Sequence, residues 1–480
     1  MKSVFTKRLT LSTLMVMVLV LTASLVASGA ATTKQLSTNF TLVNLATGTN
    51  TVNIQYYKPD GTQWRTPEQT TLTGVGDQLI RRQYTDAALQ SGSGSVVVGG
   101  SGAMGAVVQI RAINQTPTSG AYSGASAGSS SANVPLIAKN QPSASGTLNS
   151  QVIVQNTGTA ATSASIQAVN ADGTVVYTTP AFNLALGAAY TYDVTNDASF
   201  PAGIYSAVVN AASGGQVAVV SNLFMGTHGV QTFNAFTTKS QKWVAPLFTS
   251  RLSNNLSTPV TVQNLSGSTI PAGGIQMSCK ANPASTVSGD VNVSNTAAVN
   301  NTASYSFNPV VDQSIPAGFQ GACTITTTGF DTVAFVQMRF IGTDNVAAYE
   351  ALDGTSTKTK VVVPLYLKRL TNGFATAVTI ANLGTQAATV NVTYKKSAEI
   401  TDPALVCDLS FSATINVGES LVQNHRIASG ANSVPQISDK CQGSMTIEST
   451  NGQAIDAFSQ ITVIIPQAGD TFMAHDAFPY

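Results

Sequence analysis

The sequence predicts an all-β protein in which four tandem antiparallel β-sandwich repeats follow an N-terminal signal peptide. Short segments of alternating apolar and polar residues, rich in Val and Thr, recur along the chain and are separated by Gly, Asn and Asp turns. This pattern is typical of strands in two-sheet sandwiches. No stretch after residue 30 has a sustained 3.6-residue apolar period, which argues against a helical fold.

Internal repetition is the strongest of these observations. Each repeat contains an alternating strand that ends in Asn, at Asn44, Asn156, Asn264 and Asn382, with separations of 112, 108 and 118 residues. Three repeats open with the same apolar segment: Val134-Pro-Leu, Ala245-Pro-Leu and Val363-Pro-Leu. Three also contain a turn in which Gly follows an apolar residue, at Gly76, Gly187 and Gly418, and we assign no counterpart in the third copy. Spacing this regular predicts one folded unit for each repeat.

Residues 1–30 have the features of a signal peptide. The basic residues Lys2, Lys7 and Arg8 precede a long apolar run, and small residues follow at 28–31. The alternative is a transmembrane anchor, because the run approaches the ~20 residues that a membrane span needs. The small residues at its end favour cleavage, and no second apolar run of that length follows. We therefore expect a secreted protein, extracellular or held at the cell surface.

The repeat boundaries follow from the landmarks. Repeat 1 comprises residues 31–121, repeat 2 residues 134–236, repeat 3 residues 243–352 and repeat 4 residues 362–480. A Ser/Gly/Ala-rich linker at 122–133 separates the first two repeats. This organisation predicts separate units that follow one another like beads on a string.

The charge of the chain excludes one class of partner. Only 9% of the residues are charged, against ~25% in an ordinary globular protein. Without the three basic residues of the signal peptide, 20 of the 23 Lys and Arg residues remain against 22 acids. Binding to nucleic acid is not expected, because it depends on neutralising phosphates with Lys and Arg. Weak like-charge repulsion instead favours self-association or binding to other cell-surface components.

The four cysteines occur two in each of the last two repeats. In an exported protein we expect them to pair within each repeat, as Cys279–Cys323 and Cys407–Cys441. A cysteine metal site is the alternative, but the sequence contains no C-x-x-C pair. We expect no metal.

No enzyme signature is present. The chain has three His residues, distributed over separate segments, and lacks H-E-x-x-H, H-x-x-E-H and G-x-S-x-G. The stretch from Gly100 to Gly105 matches G-x-G-x-x-G, but it lies between two predicted strands and no helix follows, so we interpret it as a hairpin turn. We therefore predict no catalytic residue and no cofactor; a secreted hydrolase is the third and least favoured class of function.

Two tryptophans are candidates for glycan contacts, because aromatic rings stack on sugar faces. Trp64 follows the first Asp-Gly hairpin, and Trp243 precedes the first strand of repeat 3. The simpler interpretation is structural: Trp64 covers a sheet edge and Trp243 packs at the junction between two repeats.

The first strand of repeat 1 is shortened. Aligning Lys34-Gln-Leu36 with Lys368-Arg-Leu370 places the expected Pro-Leu at residues 30–31, at the cleavage site itself. We therefore expect an incomplete sheet around Lys34, Leu36 and Phe40, whose unpaired backbone would accept a strand from a neighbouring subunit. The alternative is a shorter sandwich with a frayed start.

The four repeats resemble the tandem immunoglobulin-like β-sandwich repeats of bacterial secreted and cell-surface proteins. The resemblance covers residues 31–480 and lies in the pattern of strands and turns. Such repeats commonly serve as spacers, stalks, adhesive modules or fibre subunits. The resemblance implies a non-enzymatic structural protein: a surface-layer, filament or adhesion component. The alternative is an array of glycan-binding modules.

Overall fold

The chain folds almost entirely into antiparallel β-sheets. The computed structural model describes residues 15–19, 36–89, 91–112, 115–465 and 467–480. About 55% of the chain is strand, and helix is limited, in these residues, to the short 3₁₀ turns Gln83–Thr85 and Val194–Asn196. Most of the predicted signal peptide and Lys34 lie outside the described residues.

Repeats 1 and 2 supply the first eighteen strands. Those of repeat 1, with the segment that precedes it, are β1 (Met15–Leu19), β2 (Leu36–Asn44), β3 (Thr49–Tyr57), β4 (Gln63–Thr73), β5 (Gln78–Arg82), β6 (Ser95–Gly100), β7 (Met104–Ala112) and β8 (Ser119–Ser123). Those of repeat 2 are β9 (Ser131–Lys139), β10 (Gln141–Ser143), β11 (Gly146–Asn156), β12 (Thr162–Val169), β13 (Val175–Thr178), β14 (Phe182–Leu184), β15 (Ala189–Asp193), β16 (Gly203–Ala211), β17 (Val217–Met225) and β18 (Gly229–Asn234).

Repeats 3 and 4 supply the others. Those of repeat 3 are β19 (Lys242–Ser250), β20 (Leu256–Ser257), β21 (Val260–Asn264), β22 (Gln276–Ala281), β23 (Val291–Ser294), β24 (Ser304–Phe307), β25 (Phe319–Thr326), β26 (Thr332–Phe340), β27 (Val346–Glu350) and β28 (Leu352–Asp353). Those of repeat 4 are β29 (Lys360–Leu367), β30 (Phe374–Asn382), β31 (Ala388–Lys396), β32 (Leu409–Ile415), β33 (Ser420–Asn424), β34 (Gln442–Ser449), β35 (Ile455–Val463), β36 (Met473–Asp476) and β37 (Phe478–Pro479).

Each repeat contributes two sheets, which we call outer and inner. The outer sheets have the strand orders β1-β6-β3-β4, β13-β12-β16-β9, β23-β22-β25-β19-β28 and β32-β31-β34-β29-β37. The inner sheets have the orders β5-β2-β7-β8, β10-β11-β17-β18, β20-β26-β21-β24 and β33-β30-β35-β36; β15 joins the second of these at β11, and β27 joins the third at β26.

The alternation of apolar residues determines which face of each sheet is buried. In β3, Val52, Ile54 and Tyr56 are buried and the residues between them are exposed. Their side chains share one apolar cluster with Phe40 and Leu42 of the inner sheet. Because successive side chains on a strand point to opposite faces, this period-two pattern fixes the register as well as the face.

The Asn that ends the landmark strand has the same structural role in all four repeats. Asn264 donates from its side-chain amide to the carbonyls of Ser268 (2.6 Å) and Val299 (2.8 Å), and its Oδ1 accepts from the backbone N–H of Ser266 (3.0 Å). The equivalent contacts recur at the buried residues Asn44, Asn156 and Asn382. The amide therefore closes a turn and ties it to the neighbouring segment.

Replacing Asn264 with alanine is expected to lower the free energy of unfolding by about 2–3 kcal/mol, because buried groups lose their hydrogen-bond partners. Chemical denaturation measures this loss. Asn292→Ala is the matched control, since Asn292 is exposed on β23 and its removal should cost less than about 0.5 kcal/mol. Equal effects of the two substitutions would contradict the role of Asn264.

The Gly turn that the sequence leaves unassigned in repeat 3 is formed without glycine. Gly76, Gly187 and Gly418 have φ of 77°, 72° and 73°, and Thr302 takes the equivalent position with φ of 67°. In the left-handed region a β-branched residue is unusual. Because Thr stands here in place of Gly, the pattern of an apolar residue followed by Gly does not reveal this turn in the sequence.

The four repeats contact one another in a closed ring, so the prediction of beads on a string is wrong. β8, β18, β27 and β36, here called the central strands, form a closed series of contacts: β8 with β18, β18 with β27, β27 with β36 and β36 with β8. Phe233 stacks on Phe335 between repeats 2 and 3, and Tyr349 stacks on Phe458 between repeats 3 and 4. Repeat 4 closes the ring on repeat 1, where Val362 packs with Val43 and Leu45.

The region from 122 to 133, predicted to be a linker, is also part of this packing. The start of this region belongs to β8 and its end belongs to β9. In the segment between these two strands, Ser129 pairs with Val217 of β17. The repeats pack together because apolar residues cover the faces where they meet as well as the inside of each sheet pair. One apolar cluster accordingly contains residues of repeats 2, 3 and 4.

Two carboxylates, buried Asp470 and partly buried Glu350, link the repeats near the central strands. Asp470 accepts hydrogen bonds from the backbone N–H groups of Val230 (2.9 Å), Phe472 (3.0 Å) and Val346 (3.3 Å), which belong to three repeats. Burial raises the pKa of Asp470, and the three N–H donors oppose that rise. Glu350 accepts from the N–H of Asn234 at 2.6 Å, which joins repeats 2 and 3.

Candidate functional site

In repeats 2, 3 and 4 the Pro-Leu landmark forms an irregularity in the first strand of the outer sheet. β9 pairs with β16, β19 with β25 and β29 with β34, and each ladder shifts register at Pro-Leu. Proline has no backbone N–H to donate, so it is placed where the ladder is interrupted. The freed carbonyl of each proline then faces the next repeat.

Those proline carbonyls accept hydrogen bonds across the ring. The carbonyl of Pro135 accepts from Ser304 Oγ (2.8 Å), that of Pro246 from Ser420 Oγ (3.4 Å) and that of Pro364 from Gln78 Nε2 (2.8 Å). The three donors occupy equivalent positions, two residues after the left-handed turn residue. The Pro-Leu landmark is therefore a contact between repeats.

A second set of hydrogen bonds also joins one repeat to the next around the ring. Ser206 Oγ donates to the carbonyl of Thr302 and Ser444 Oγ to that of Gly76 (2.6 Å), while Ser95 Oγ donates to that of Gly187. In each case the acceptor is the left-handed turn residue of the next repeat. Ser444 and Gly76 join repeat 4 to repeat 1, so the ring closes with the same contact that joins consecutive repeats.

Repeat 1 completes its outer sheet differently. The position taken by β9, β19 and β29 in the other repeats is occupied by β1, which pairs antiparallel with β6 from Met15↔Gly100 to Leu19↔Val96. β1 belongs to the segment that the sequence predicts to be the signal peptide. The incomplete sheet predicted for repeat 1 is thus filled by residues that processing would remove.

The edge that would be exposed is not the one predicted from Lys34, Leu36 and Phe40. Leu36 and Phe40 lie on β2, which is paired with β5 on one side and β7 on the other. Phe40 is fully buried, and Lys34 lies outside the described residues. The prediction assumed that the missing first strand would lie beside β2, the strand that follows it in the chain. In a two-sheet unit these two strands belong to different sheets, because the chain crosses from the outer sheet to the inner sheet between them. The relevant edge is β6.

A charged cleft of about 270 Å³ lies on repeat 1. Glu68 there accepts from Arg65 (3.0 Å), Arg81 (2.9 Å) and the hydroxyl of Tyr56 (2.8 Å), and Arg65 also contacts Asp86. Burial and the contact with Glu68 raise the pKa of Tyr56, so that its hydroxyl stays protonated. These ion pairs neutralise one another, and the cleft offers no activated nucleophile among its lining residues.

The two glycan candidates lie in different surroundings. Trp243 is 4% exposed; its indole N–H donates to the carbonyl of Thr332 (3.2 Å), and its ring packs edge-on against Phe236. A ring in this position cannot stack on a sugar, so Trp243 is wrong as a glycan contact. Trp64 is partly exposed on the edge strand β4 and lies over Gly92 and Gly94.

The cysteines and the Gly-rich stretch are structural. Disulfides join Cys279 to Cys323 and Cys407 to Cys441, and disulfides form in oxidising compartments. The stretch from Gly100 to Gly105 is the hairpin between β6 and β7. In the described part of the chain, no group of three or more His, Cys, Asp or Glu residues is arranged to hold a metal. The same residues include no helix long and apolar enough to cross a membrane.

His425 is buried in repeat 4 as a neutral side chain. Its Nδ1 lies 2.8 Å from Thr376 Oγ1 and its Nε2 lies 2.9 Å from the hydroxyl of Tyr394. Burial, aided by the positive charge of Lys368, lowers the pKa of His425 to about 3. Between pH 3 and pH 6.5 the unfolded chain binds the proton and the folded chain does not, so this residue makes stability rise with pH.

We expect His425 to account for a loss of about 2 kcal/mol when the pH falls from 7.5 to 5.0, at about 1.4 kcal/mol per pH unit below 6.5. Urea unfolding at the two pH values measures it. The His425→Gln variant cannot take up the proton and should lose that much less stability over the same interval. An identical loss in both proteins would show that other groups cause the acid sensitivity.

Comparisons with known proteins give little guidance. No protein-family profile matches the chain, and no curated protein sequence matches it. The chain is weakly similar to a solved structure described as a tetra-tandem repeat in the extending region of a large adhesion protein, with 11% identity over 93% of this chain and 95% of that one and a TM-score of 0.10. It is similarly close to Escherichia coli alpha-2-macroglobulin activated by porcine elastase, with 10% identity over 96% of this chain and 44% of that one and a TM-score of 0.11. Scores this low carry no functional argument.

Proposed function

We propose that this chain is an exported, non-enzymatic structural protein, made of four immunoglobulin-like β-sandwich repeats, that forms part of a surface layer, extracellular fibre or adhesive structure. Two disulfides agree with an oxidising extracellular compartment. The low proportion of charged residues favours association between copies.

One observation carries the proposal. The outer sheet of repeat 1 is completed by β1, and β1 lies within the predicted signal peptide. If that peptide is cleaved near residue 30, β6 becomes an edge strand with a row of unpaired backbone groups. Such edges pair readily with strands from other chains. An exported protein with this feature is suited to assembly.

Electron microscopy of the processed protein tests this function. We expect the purified protein to form ordered assemblies at high concentration, and native cells to carry the same structures. The control is the full-length precursor in detergent, in which β1 can fill the outer sheet and assembly should be absent. Monodisperse processed protein, together with bare native cells, would refute the proposal.

Glycan binding remains a second candidate because Trp64 is partly exposed on the edge strand β4. Titration with soluble sugars should then change the tryptophan fluorescence of the native protein and leave that of the Trp64→Phe variant unchanged. Since Trp243 is buried, it provides a constant background signal in both proteins. No change with any sugar class would remove this candidate.

A further inference from the structure

The first strand of the outer sheet is β1 in repeat 1 and β9, β19 and β29 in the other repeats. β1 differs from the other three in the length of chain that connects it to the rest of its repeat. In repeats 2 and 4, six residues separate the first strand from the next long strand, β9 from β11 and β29 from β30. In repeat 1, sixteen residues separate β1 from β2. Sixteen residues can reach over about 50 Å and six over about 20 Å, so the length of the connection constrains the position of β1 less than the positions of β9 and β29.

The residues that line this position are suited to a strand of a defined pattern. In the equivalent positions, the residues opposite Ala207, Cys323 and Met445 are Val134, Ala245 and Val363, all buried. Two residues earlier on the same strands are Ala132, Trp243 and Val361, also buried. A strand here therefore needs apolar residues at alternate positions. The sequence of β1, MVMVL, meets that requirement.

The sequence of β6 lacks two common protections of an edge strand. Its sequence is SVVVGG, with no charged residue and no proline, which are the usual protections of an edge strand. β3 covers one side of β6, and β1 is its partner on the other side among the described residues. Without β1, the segment from Val96 to Gly100 keeps its pairing with β3 and loses the strand on its other side.

Repeat 2 shows that the strand added here need not resemble the chain's own first strands. Ser304, Ser420 and Gln78 donate to the proline carbonyl of the preceding repeat. The equivalent residue of repeat 2, which faces repeat 1, is Ala189, and alanine has no side-chain donor. Ala189 therefore provides no side-chain hydrogen bond to a proline carbonyl at this position.

We infer that the edge of β6 from Val96 to Gly100 is a binding site for an extended segment of a second polypeptide, uncharged, with apolar residues at alternate positions and without proline. This inference rests on the proposed export and processing of the chain. In the precursor, residues 15–19 fill the site; in the processed protein the second polypeptide pairs antiparallel with β6 and completes the outer sheet.

Cysteine cross-linking tests both the site and its register. The probe is a peptide with the sequence of residues 13–21, flanked by lysines for solubility and carrying Val18→Cys. In the structure Val18 is opposite Val97, and Val16 is opposite Gly99. All four native cysteines are in disulfides, so a new cysteine on β6 is the one free thiol.

We expect the Val18→Cys peptide to form a stoichiometric disulfide with the processed Val97→Cys protein and at least ten times less with Gly99→Cys. A Val16→Cys peptide should show the reverse preference. The precursor carrying Val97→Cys is the control and should not react, because β1 occupies the site. A peptide with Met17→Asp and Leu19→Asp should fail to react with either protein.

Three results would overturn the inference: no cross-link, equal cross-linking at both positions, or a mass spectrum showing that the exported protein retains residues 15–19. The outcome is separable from that of the proposed function. If the peptide binds but does not block assembly, the site exists and assembly uses another surface. If the processed protein never assembles while the peptide still binds in register, the proposed function fails and the binding site remains.

Discussion

Replacing Phe458 with alanine is expected to lower the free energy of unfolding by about 3–5 kcal/mol, the usual range for a buried aromatic residue. Phe458 is fully buried on β35 and stacks on Tyr349 of repeat 3, with ring centroids 4.1 Å apart. Its removal leaves a cavity between two repeats. Because the ring closes, the loss should affect repeats that Phe458 does not contact.

Fluorescence of Trp64 in a Trp243→Phe background measures that effect, since Trp64 lies in repeat 1. We expect Phe458→Ala to shift the unfolding transition seen by Trp64 to lower denaturant concentration. Tyr84→Ala is the control, because Tyr84 is 49% exposed and its loss should change stability by less than about 0.5 kcal/mol. If Phe458→Ala left the transition of Trp64 unchanged, the repeats would unfold independently.

Removing the disulfide between Cys279 and Cys323 is expected to cost about 4 kcal/mol, from the entropy of closing a loop with a sequence separation of 44. The two residues lie opposite each other on β22 and β25, so the bond links neighbouring strands of one sheet. The disulfide between Cys407 and Cys441, with a separation of 34, should contribute nearly as much.

Denaturation of the paired Cys279→Ala and Cys323→Ala variant measures the first contribution, and the Cys407→Ala and Cys441→Ala pair measures the second. Each variant contains one disulfide and serves as the control for the other. A reductant should then destabilise each variant further, by the amount attributed to its remaining bond. A loss below about 1 kcal/mol for either pair would contradict the loop-entropy account.

Two of the repeated signals in the sequence reflect local backbone geometry. Asn44, Asn156, Asn264 and Asn382 each close the same turn, and alternation along the strands correctly indicates an all-β chain. Both signals are local, so they can be seen without knowing which strands pair.

The contacts between repeats could not be found in this way. Pro135, Pro246 and Pro364 are visible as a landmark, but their carbonyls bond to the next repeat, and a backbone acceptor has no sequence signature. Thr302 takes a glycine's position because the turn tolerates its positive φ. The ring depends on such contacts, which is why the sequence suggested separate units.

The first strand of repeat 1 shows where the sequence signal ends. The alignment of Lys34 with Lys368 predicts that the front of this strand falls at or before residue 30, and the strand that pairs with β6 in the structure is Met15–Leu19. It did not identify β6 as the edge, because that requires knowing which sheet the first strand joins. The pairing of β1 with β6 supplies this information.

A closed ring fixes the number of repeats. An open solenoid can gain or lose a repeat, because each unit contacts its sequence neighbours and the ends are free. Here Ser444 of repeat 4 and Gly76 of repeat 1 make the contact that elsewhere joins consecutive repeats. Deleting or inserting one repeat would separate these partners and expose the apolar faces around the central strands. Linear arrays commonly vary in the number of their repeats, but this ring cannot. We therefore expect relatives of this protein to differ in loops and edge strands and to keep four repeats.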